Sequence, residues 1–132
     1  MLTAAAILCT ASARAQVMVI VNPGVSVNSI SKSELRNVFT GESFKLKDGS
    51  HVKPVLLKEG PTHSEFLSSD LSMSAVGLLV CWRQQVFSGQ AAMPQTFSSE
   101  AEEVAYIAKT PGAIGYIGPS TPHESVKVLE VK

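Results

Sequence analysis

Apolar residues occur along this chain in two patterns, as short continuous runs and as stripes with spacings of three or four. Residues 17–21 form a continuous apolar run, mostly β-branched, that is followed by Asn22-Pro23-Gly24, and residues 113–117 form a second apolar run. Runs of this length are typical of strands buried on both faces of a sheet. Further strands are predicted at 52–57, where Pro54 indicates a sheet edge, and at 126–131.

Helix starts are marked by three Ser/Thr-x-x-Glu capping boxes, in which a hydroxyl and a carboxylate each bond the other residue's backbone N–H. The predicted N-caps are Ser31, Thr62 and Ser99. A fourth helix is predicted from about residue 74 to 87, ending before Gly89. The stripe that is expected to face the core has spacings of three and four and consists of Val76, Leu79, Val80, Arg83, Val86 and Phe87.

Strands and helices alternate along the chain. This order predicts an α/β protein with a mainly parallel central sheet flanked by helices. The length of 132 residues fits a single domain, and the sequence contains no internal repeat and no linker rich in proline, glycine or serine. We therefore expect one compact α/β domain.

Residues 1–15 are predicted to be a secretory signal peptide. They form an apolar stretch that ends in the small-x-small triplet Ala13-Arg14-Ala15, which is typical of a cleavage site. Cleavage there gives a mature domain of residues 16–132, located in the periplasm or secreted. It also removes Cys9 and leaves Cys81 alone, so the mature fold is expected to depend on its hydrophobic core and not on an internal disulfide.

Composition and motifs argue against several classes of function. The formal net charge is zero and there is no basic tract, which argues against nucleic acid as a partner. The three histidines, His51, His63 and His123, fit no metal-ligand spacing. The sequence has no Gly-x-Ser-x-Gly elbow, Walker loop or dinucleotide fingerprint. We therefore expect a protein that is not an enzyme and that uses neither a metal nor a cofactor.

Residues 29–66 carry a family resemblance. Residues 29–41 read Ser-Ile-Ser-Lys-Ser-Glu-Leu-Arg-Asn-Val-Phe-Thr-Gly, and they are followed by an Asp48-Gly49 turn and the apolar run at 52–57. Residues 111–116 add Pro-Gly-Ala-Ile-Gly-Tyr. This order resembles the periplasmic phosphate-binding proteins that serve ABC transporters, which have a Leu-Ser-x-x-Glu-Leu-x-x-Ile-Phe-x-Gly helix before a strand. The resemblance covers nearly all of the mature chain and implies one lobe of a periplasmic-binding-protein type II-like fold.

The resemblance also implies an oxyanion site where the 52–57 strand ends. The family's loop reads like Arg-Ser-x-Gly-Ser-Gly-Thr; here Thr62 matches the final threonine and Lys58 stands in place of the arginine. Independently of the family, the start of a helix presents free N–H groups that favour an anion. The candidate ligand-binding residues are Lys58, Gly60, Thr62, His63 and Ser64, with Ser29 and Ser31 as a second set of donors if both helix starts face the same edge of the sheet.

Two functions are compatible with these features. The first is an exported solute-binding domain that binds phosphate or a similar small oxyanion for an ABC transporter, with a membrane permease or a second lobe from another chain as partner. The second is a non-catalytic interaction module of the cell envelope that has lost ligand binding. Thr62 and Ser64 favour the first function, whereas the missing arginine, Ser-Gly pair and partner lobe favour the second.

Overall fold

The computed structural model of the protein describes residues 17–132, so the predicted signal peptide at 1–15 and its cleavage site lie outside the described residues. The strands are β1 (Met18–Val21), β2 (Ser29–Ile30), β3 (Lys53–Pro54), β4 (Leu56–Leu57), β5 (Thr96–Phe97), β6 (Ala113–Ile117) and β7 (Lys127–Val131). The helices are α1 (Lys32–Phe39), α2 (Pro61–Phe66), α3 (Ala75–Phe87) and α4 (Glu100–Lys109). A π-helical turn at Leu67–Leu71 continues α2.

Within residues 17–132 the main sheet has five strands in the order β2-β7-β1-β6-β3. Strand β1 runs antiparallel to both of its neighbours, β6 and β7. The pairs β2–β7 and β3–β6 are parallel. Four strands therefore point in one direction and β1 alone opposes them. The predicted α/β class with a mainly parallel sheet is confirmed, and β1 makes the sheet mixed.

The run at 52–57 forms two short strands and not one. Strand β3 lies at the edge of the main sheet, where Pro54 can do without a backbone N–H, as predicted. After Val55, whose N–H still bonds the Ile114 carbonyl, the chain leaves the sheet. Strand β4 pairs instead with β5 in a separate two-stranded parallel sheet. This second pairing sets the position of the loop that leads into α2.

Two of the three predicted N-caps are confirmed, and the third is wrong. Ser31 and Ser99 accept hydrogen bonds from the backbone N–H groups three residues further on. In α2 the N-cap is Gly60, because Pro61 takes the first helical position that suits its fixed φ and missing N–H. Thr62 therefore lies one residue inside the helix. Its hydroxyl is free to bond outside α2.

The core-facing stripe that the sequence predicts for α3 points outward. The buried residues of α3 are Leu78 and Trp82, and the Trp82 indole N–H donates to the Phe39 carbonyl at 2.9 Å. By contrast Val76 is 72 % exposed and Phe87 96 % exposed. The predicted face is wrong because α3 is apolar on several sides, and tryptophan gains most from burial when its N–H also finds an acceptor.

Apolar residues fill both sides of the main sheet. On β1, Val19 and Val21 join the cluster packed under α1, α2 and α3, whereas Ile20 points to the opposite cluster with Val104 and Ile107 of α4. Alternate residues of a strand face opposite sides, which explains why the run at 17–21 is continuous. None of the helices in residues 17–132 combines the length and the apolar character needed to cross a membrane.

Candidate functional site

A depression of about 240 Å³ lies where β4 ends and α2 begins. It brings together four of the predicted site residues, namely Lys58, Gly60, Thr62 and His63. Ser64 is exposed in the first turn of α2, and its backbone N–H bonds the Gly60 carbonyl. The segment predicted from the sequence thus forms one continuous surface around the start of α2.

Ser29 and Ser31 lie in a different place. They line a second depression, of about 570 Å³, at the edge of the sheet formed by β2, together with residues 26–28, Lys47, Asp48 and Lys132. Strands β2 and β3 point the same way but occupy opposite edges of the sheet, four strand spacings apart. At about 4.8 Å per spacing this is on the order of 19 Å. The structure therefore does not bring Ser29 and Ser31 to the Thr62 depression, and the Ser31 hydroxyl is already bonded to Glu34.

Glu100, the first residue of α4, occupies the donors at this depression. One oxygen of its carboxylate accepts from the Gly118 N–H at 2.7 Å and from the Thr121 hydroxyl at 2.8 Å. The other oxygen accepts from the Thr62 hydroxyl at 2.8 Å. An oxyanion of the chain itself is thus held by one backbone and two hydroxyl donors that come from two segments, the start of α2 and the chain after β6.

Sequence reasoning missed Glu100, Gly118 and Thr121. The Ser99 capping box located the start of α4, but it did not show where the next carboxylate would point. A usable signal was the strand direction: β3 and β6 are parallel, so the chain after β6 and the loop before α2 meet at the same end of the sheet.

The depression has an excess of negative charge. Its lining contains the cation Lys58 and the carboxylates Glu59 and Glu100. Partial burial works to raise the pKa of Glu100, but its three hydrogen bonds outweigh this and hold the pKa below its ordinary value. Glu100 is therefore ionised near neutral pH, and its charge opposes that of an incoming anion.

His63 and Tyr116 form a buried network behind the depression. The Tyr116 hydroxyl accepts from the Leu57 N–H at 2.9 Å and is hydrogen-bonded to His63 Nδ1. Burial lowers the pKa of His63, against the opposing effect of Glu59. Burial also raises the pKa of Tyr116, so the phenol keeps its proton near neutral pH. His63 is accordingly neutral near pH 7 and supplies no positive charge to an anion.

Glu103 is a fully buried carboxyl one turn along α4 from Glu100. One of its oxygens accepts from the Tyr116 N–H at 3.0 Å. Tyr116 lies on β6 beyond Ile114, the last residue of β6 that pairs with β3. Its other oxygen finds no hydrogen-bond partner among residues 17–132. Burial raises the pKa of Glu103 to about 8, with a smaller rise from the charge of Glu100. Glu103 is therefore a protonated group of the core, and it does not line the depression.

Across residues 17–132 no group of three or more histidine, cysteine or acidic side chains is arranged to bind a metal ion. The polar groups at the depression are hydroxyls, an N–H, an ammonium and carboxylates. The hydroxyls, the N–H and the ammonium can bind and orient an oxyanion through hydrogen bonds, whereas the carboxylates only accept hydrogen bonds and repel it.

Comparisons with known proteins identify the fold. No protein-family model matches the chain, and no curated protein sequence matches it. Among solved structures it is similar to a protein described as a phosphate ABC transporter substrate-binding protein from Clostridium perfringens, solved with bound phosphate (17% identity, TM-score 0.63, 88% of this chain and 44% of that one). It is also similar to an ABC-type phosphate transport receptor from Vibrio cholerae (13%, 0.63, 88% and 46%) and to PstS from Borrelia burgdorferi (17%, 0.66, 89% and 47%).

These similarities establish the class of fold, which is that of one lobe of these substrate-binding proteins. The resemblance seen in the sequence is thereby confirmed at the level of fold. The chain spans less than half the length of the three proteins named. All three are transport proteins by their descriptions, and none is described as an enzyme.

Proposed function

We propose that this chain is an exported solute-binding domain that binds phosphate or a similar small oxyanion in the depression at the start of α2, for an ABC transporter. The observation that carries the proposal is the set of donors formed by Thr62, Gly118 and Thr121, which already holds a carboxylate. Two hydroxyls and a backbone N–H are the donors that charge-assisted oxyanion recognition requires. A membrane permease or a second lobe from another chain is the proposed partner.

The position of these donors supports the proposal. They lie beyond the carboxyl ends of β4 and β6, and in α/β sheets ligands bind at this end of the strands. Thr62 is the residue that matches the final threonine of the phosphate-binding loop. Lys58 lies in the same depression and contributes a cation to its lining.

The proposed affinity is low. Lys58 is a single ammonium without the bidentate fork of an arginine, and Glu59 and Glu100 place two negative charges in the same lining. We therefore expect a dissociation constant nearer millimolar than micromolar, which corresponds to about −4 rather than −8 kcal/mol.

The experiment is isothermal titration calorimetry of the purified protein with phosphate, sulfate and molybdate. Thr62→Val keeps the shape of the side chain and removes one donor, so it should weaken binding several-fold while the fold is kept. Thr110→Val, which makes the same chemical change at the end of α4, is the matched control and should leave binding unchanged. Equal affinities of wild type and Thr62→Val, or no binding of any of the three anions, would contradict the proposal.

The alternative, a non-catalytic interaction module of the cell envelope, has one observation in its favour. The outward face of α3 exposes Val76, Val80, Val86 and Phe87, with Met93 following in the next loop. Exposed apolar patches of this kind are typical of protein interaction sites. A protein that binds none of the anions in calorimetry but associates through α3 would support this alternative.

A further inference from the structure

The hydrogen bonds of Glu100 differ from those that a residue at the start of a helix ordinarily makes. A carboxylate in the first turn of α4 is favourable for the helix dipole by itself. Glu100, however, reaches away from α4 and joins the start of α2 to the chain after β6. Its two oxygens take up three donors that the proposed anion would need.

We infer that Glu100 is an internal competitor for the oxyanion site, so that phosphate enters only when the Glu100 carboxylate leaves its three donors. The inference rests on the function proposed above and adds the residue that sets its affinity. Glu100 competes in two ways. It saturates the donors, and its negative charge repels an anion at the same place.

The space around the donors supports direct competition. A methyl group added at Gly118 would lie 3.4 Å from one Glu100 oxygen and 3.5 Å from the Thr62 hydroxyl. The carboxylate, the hydroxyl and the Gly118 backbone therefore pack closely, and a second oxyanion cannot share the same three donors with Glu100. Glu100 is half-buried and lines the wall of the open depression, so its side chain can turn outward without unfolding α4.

The test compares phosphate binding by wild type, Glu100→Ala and Glu100→Gln in calorimetry. Glu100→Ala frees the donors and removes the charge, so its affinity should rise about tenfold or more, the equivalent of one charge-assisted hydrogen bond. Glu100→Gln removes the charge and turns one of the two acceptor oxygens into an NH2 group, so it releases fewer donors than alanine does. Its gain should be smaller than that of Glu100→Ala but larger than that of Glu59→Ala. Glu59→Ala is the matched control, since it removes a negative charge from the same lining without freeing a donor.

Further measurements keep the result clear. Adding Thr121→Val to Glu100→Ala should reverse much of the gain, because a freed donor is then lost again. In nuclear magnetic resonance the Gly118 amide of wild type should shift during the phosphate titration as its partner changes from Glu100 to phosphate. Circular dichroism checks that each variant is folded, and if Glu100→Ala is not folded the comparison of Glu100→Gln with Glu59→Ala replaces it.

The outcomes separate the two proposals. If wild type binds phosphate and Glu100→Ala binds it no better, the competition is overturned and the proposed function stands. An equal gain in Glu59→Ala also overturns it, because charge alone then explains the effect. If neither wild type nor Glu100→Ala binds phosphate or sulfate, the proposed function fails and the competition fails with it. Measurable binding by wild type together with a much higher affinity of Glu100→Ala supports both. Binding by Glu100→Ala alone supports the competition and contradicts the function proposed for the native chain.

Discussion

Glu103→Gln should stabilise this protein at neutral and alkaline pH and have little effect in acid. The substitution keeps the shape of the side chain and its acceptor for the Tyr116 N–H, and it removes the ionisable group. The surroundings of Glu103 are tightly packed, because a side-chain carbon added at the neighbouring Gly115 would collide with the Glu103 carboxyl and lie 2.8 Å from Ile107. The effect of the substitution should therefore come from protonation and not from repacking.

The sign and size follow from the pKa of Glu103. The carboxyl titrates near its ordinary value of 4.5 when unfolded and at about 8 when folded. Between these values the folded state binds one proton more than the unfolded state, so the stability of wild type falls as pH rises and levels off above about pH 8. At about 1.4 kcal/mol per pH unit, the interval between the two pKa values corresponds to a loss of roughly 3 to 5 kcal/mol in the free energy of unfolding. Glutamine removes this loss.

The assay is urea unfolding of wild type and Glu103→Gln at a series of pH values from 4 to 9, followed by the fluorescence of the buried Trp82. The difference between the two free energies of unfolding is the quantity to plot, because other titrating groups such as His63 are common to both proteins. Glu102→Gln, at the exposed neighbouring position of α4, is the matched control.

A free-energy difference that stays constant from pH 4 to 9 would refute the reasoning. So would a difference that grows toward acid pH, because this would place the folded pKa of Glu103 below its unfolded value. The control variant should show no comparable dependence on pH. If it does, the change arises from the charge of the α4 helix start and not from burial.

Three further predictions use urea unfolding near neutral pH, followed by circular dichroism because Trp82 is the only tryptophan of the chain. Ser31→Ala removes the hydroxyl that caps α1 and should cost about 0.5–2 kcal/mol, and an unchanged stability would contradict the role of the cap. Trp82→Phe leaves the Phe39 carbonyl without its indole donor and should cost about 1–3 kcal/mol; no loss would mean that this bond contributes nothing. Phe87→Ser should change stability by less than about 0.5 kcal/mol, because the ring is exposed, and a larger loss would indicate that the α3 face is covered in solution.

The sequence predicted the elements whose signals are local. The continuous run at 17–21 became β1, because both faces of the sheet are covered and every position of the strand is apolar. The caps at Ser31 and Ser99 were predictable because a hydroxyl bonds an N–H only three residues away. At the start of α2 the same rule gave the wrong cap, since Pro61 already occupied the first helical position.

Features that depend on partners distant in sequence were not predictable in the same way. The break at Val55 between β3 and β4 exists because Leu56 and Leu57 pair with β5, a strand of two residues that has no apolar pattern of its own. The face of α3 posed a similar difficulty. A helix that is apolar on several sides offers several possible stripes. The buried one includes Trp82, whose indole N–H bonds the Phe39 carbonyl 43 positions away along the chain.

The candidate site combines both situations. Thr62 could be found from the sequence because it follows a strand and opens a helix, and a hydroxyl there points to an oxyanion. Whether that hydroxyl is available depends on Glu100, 38 positions further along the chain. A carboxylate and a free phosphate present the same oxygens to a donor, so a set of donors read from the sequence cannot distinguish an external ligand from an internal acceptor. Only the fold shows that Gly118, Thr121 and Thr62 converge on Glu100, and for this reason Glu100, more than the donors themselves, decides whether this lobe binds an anion.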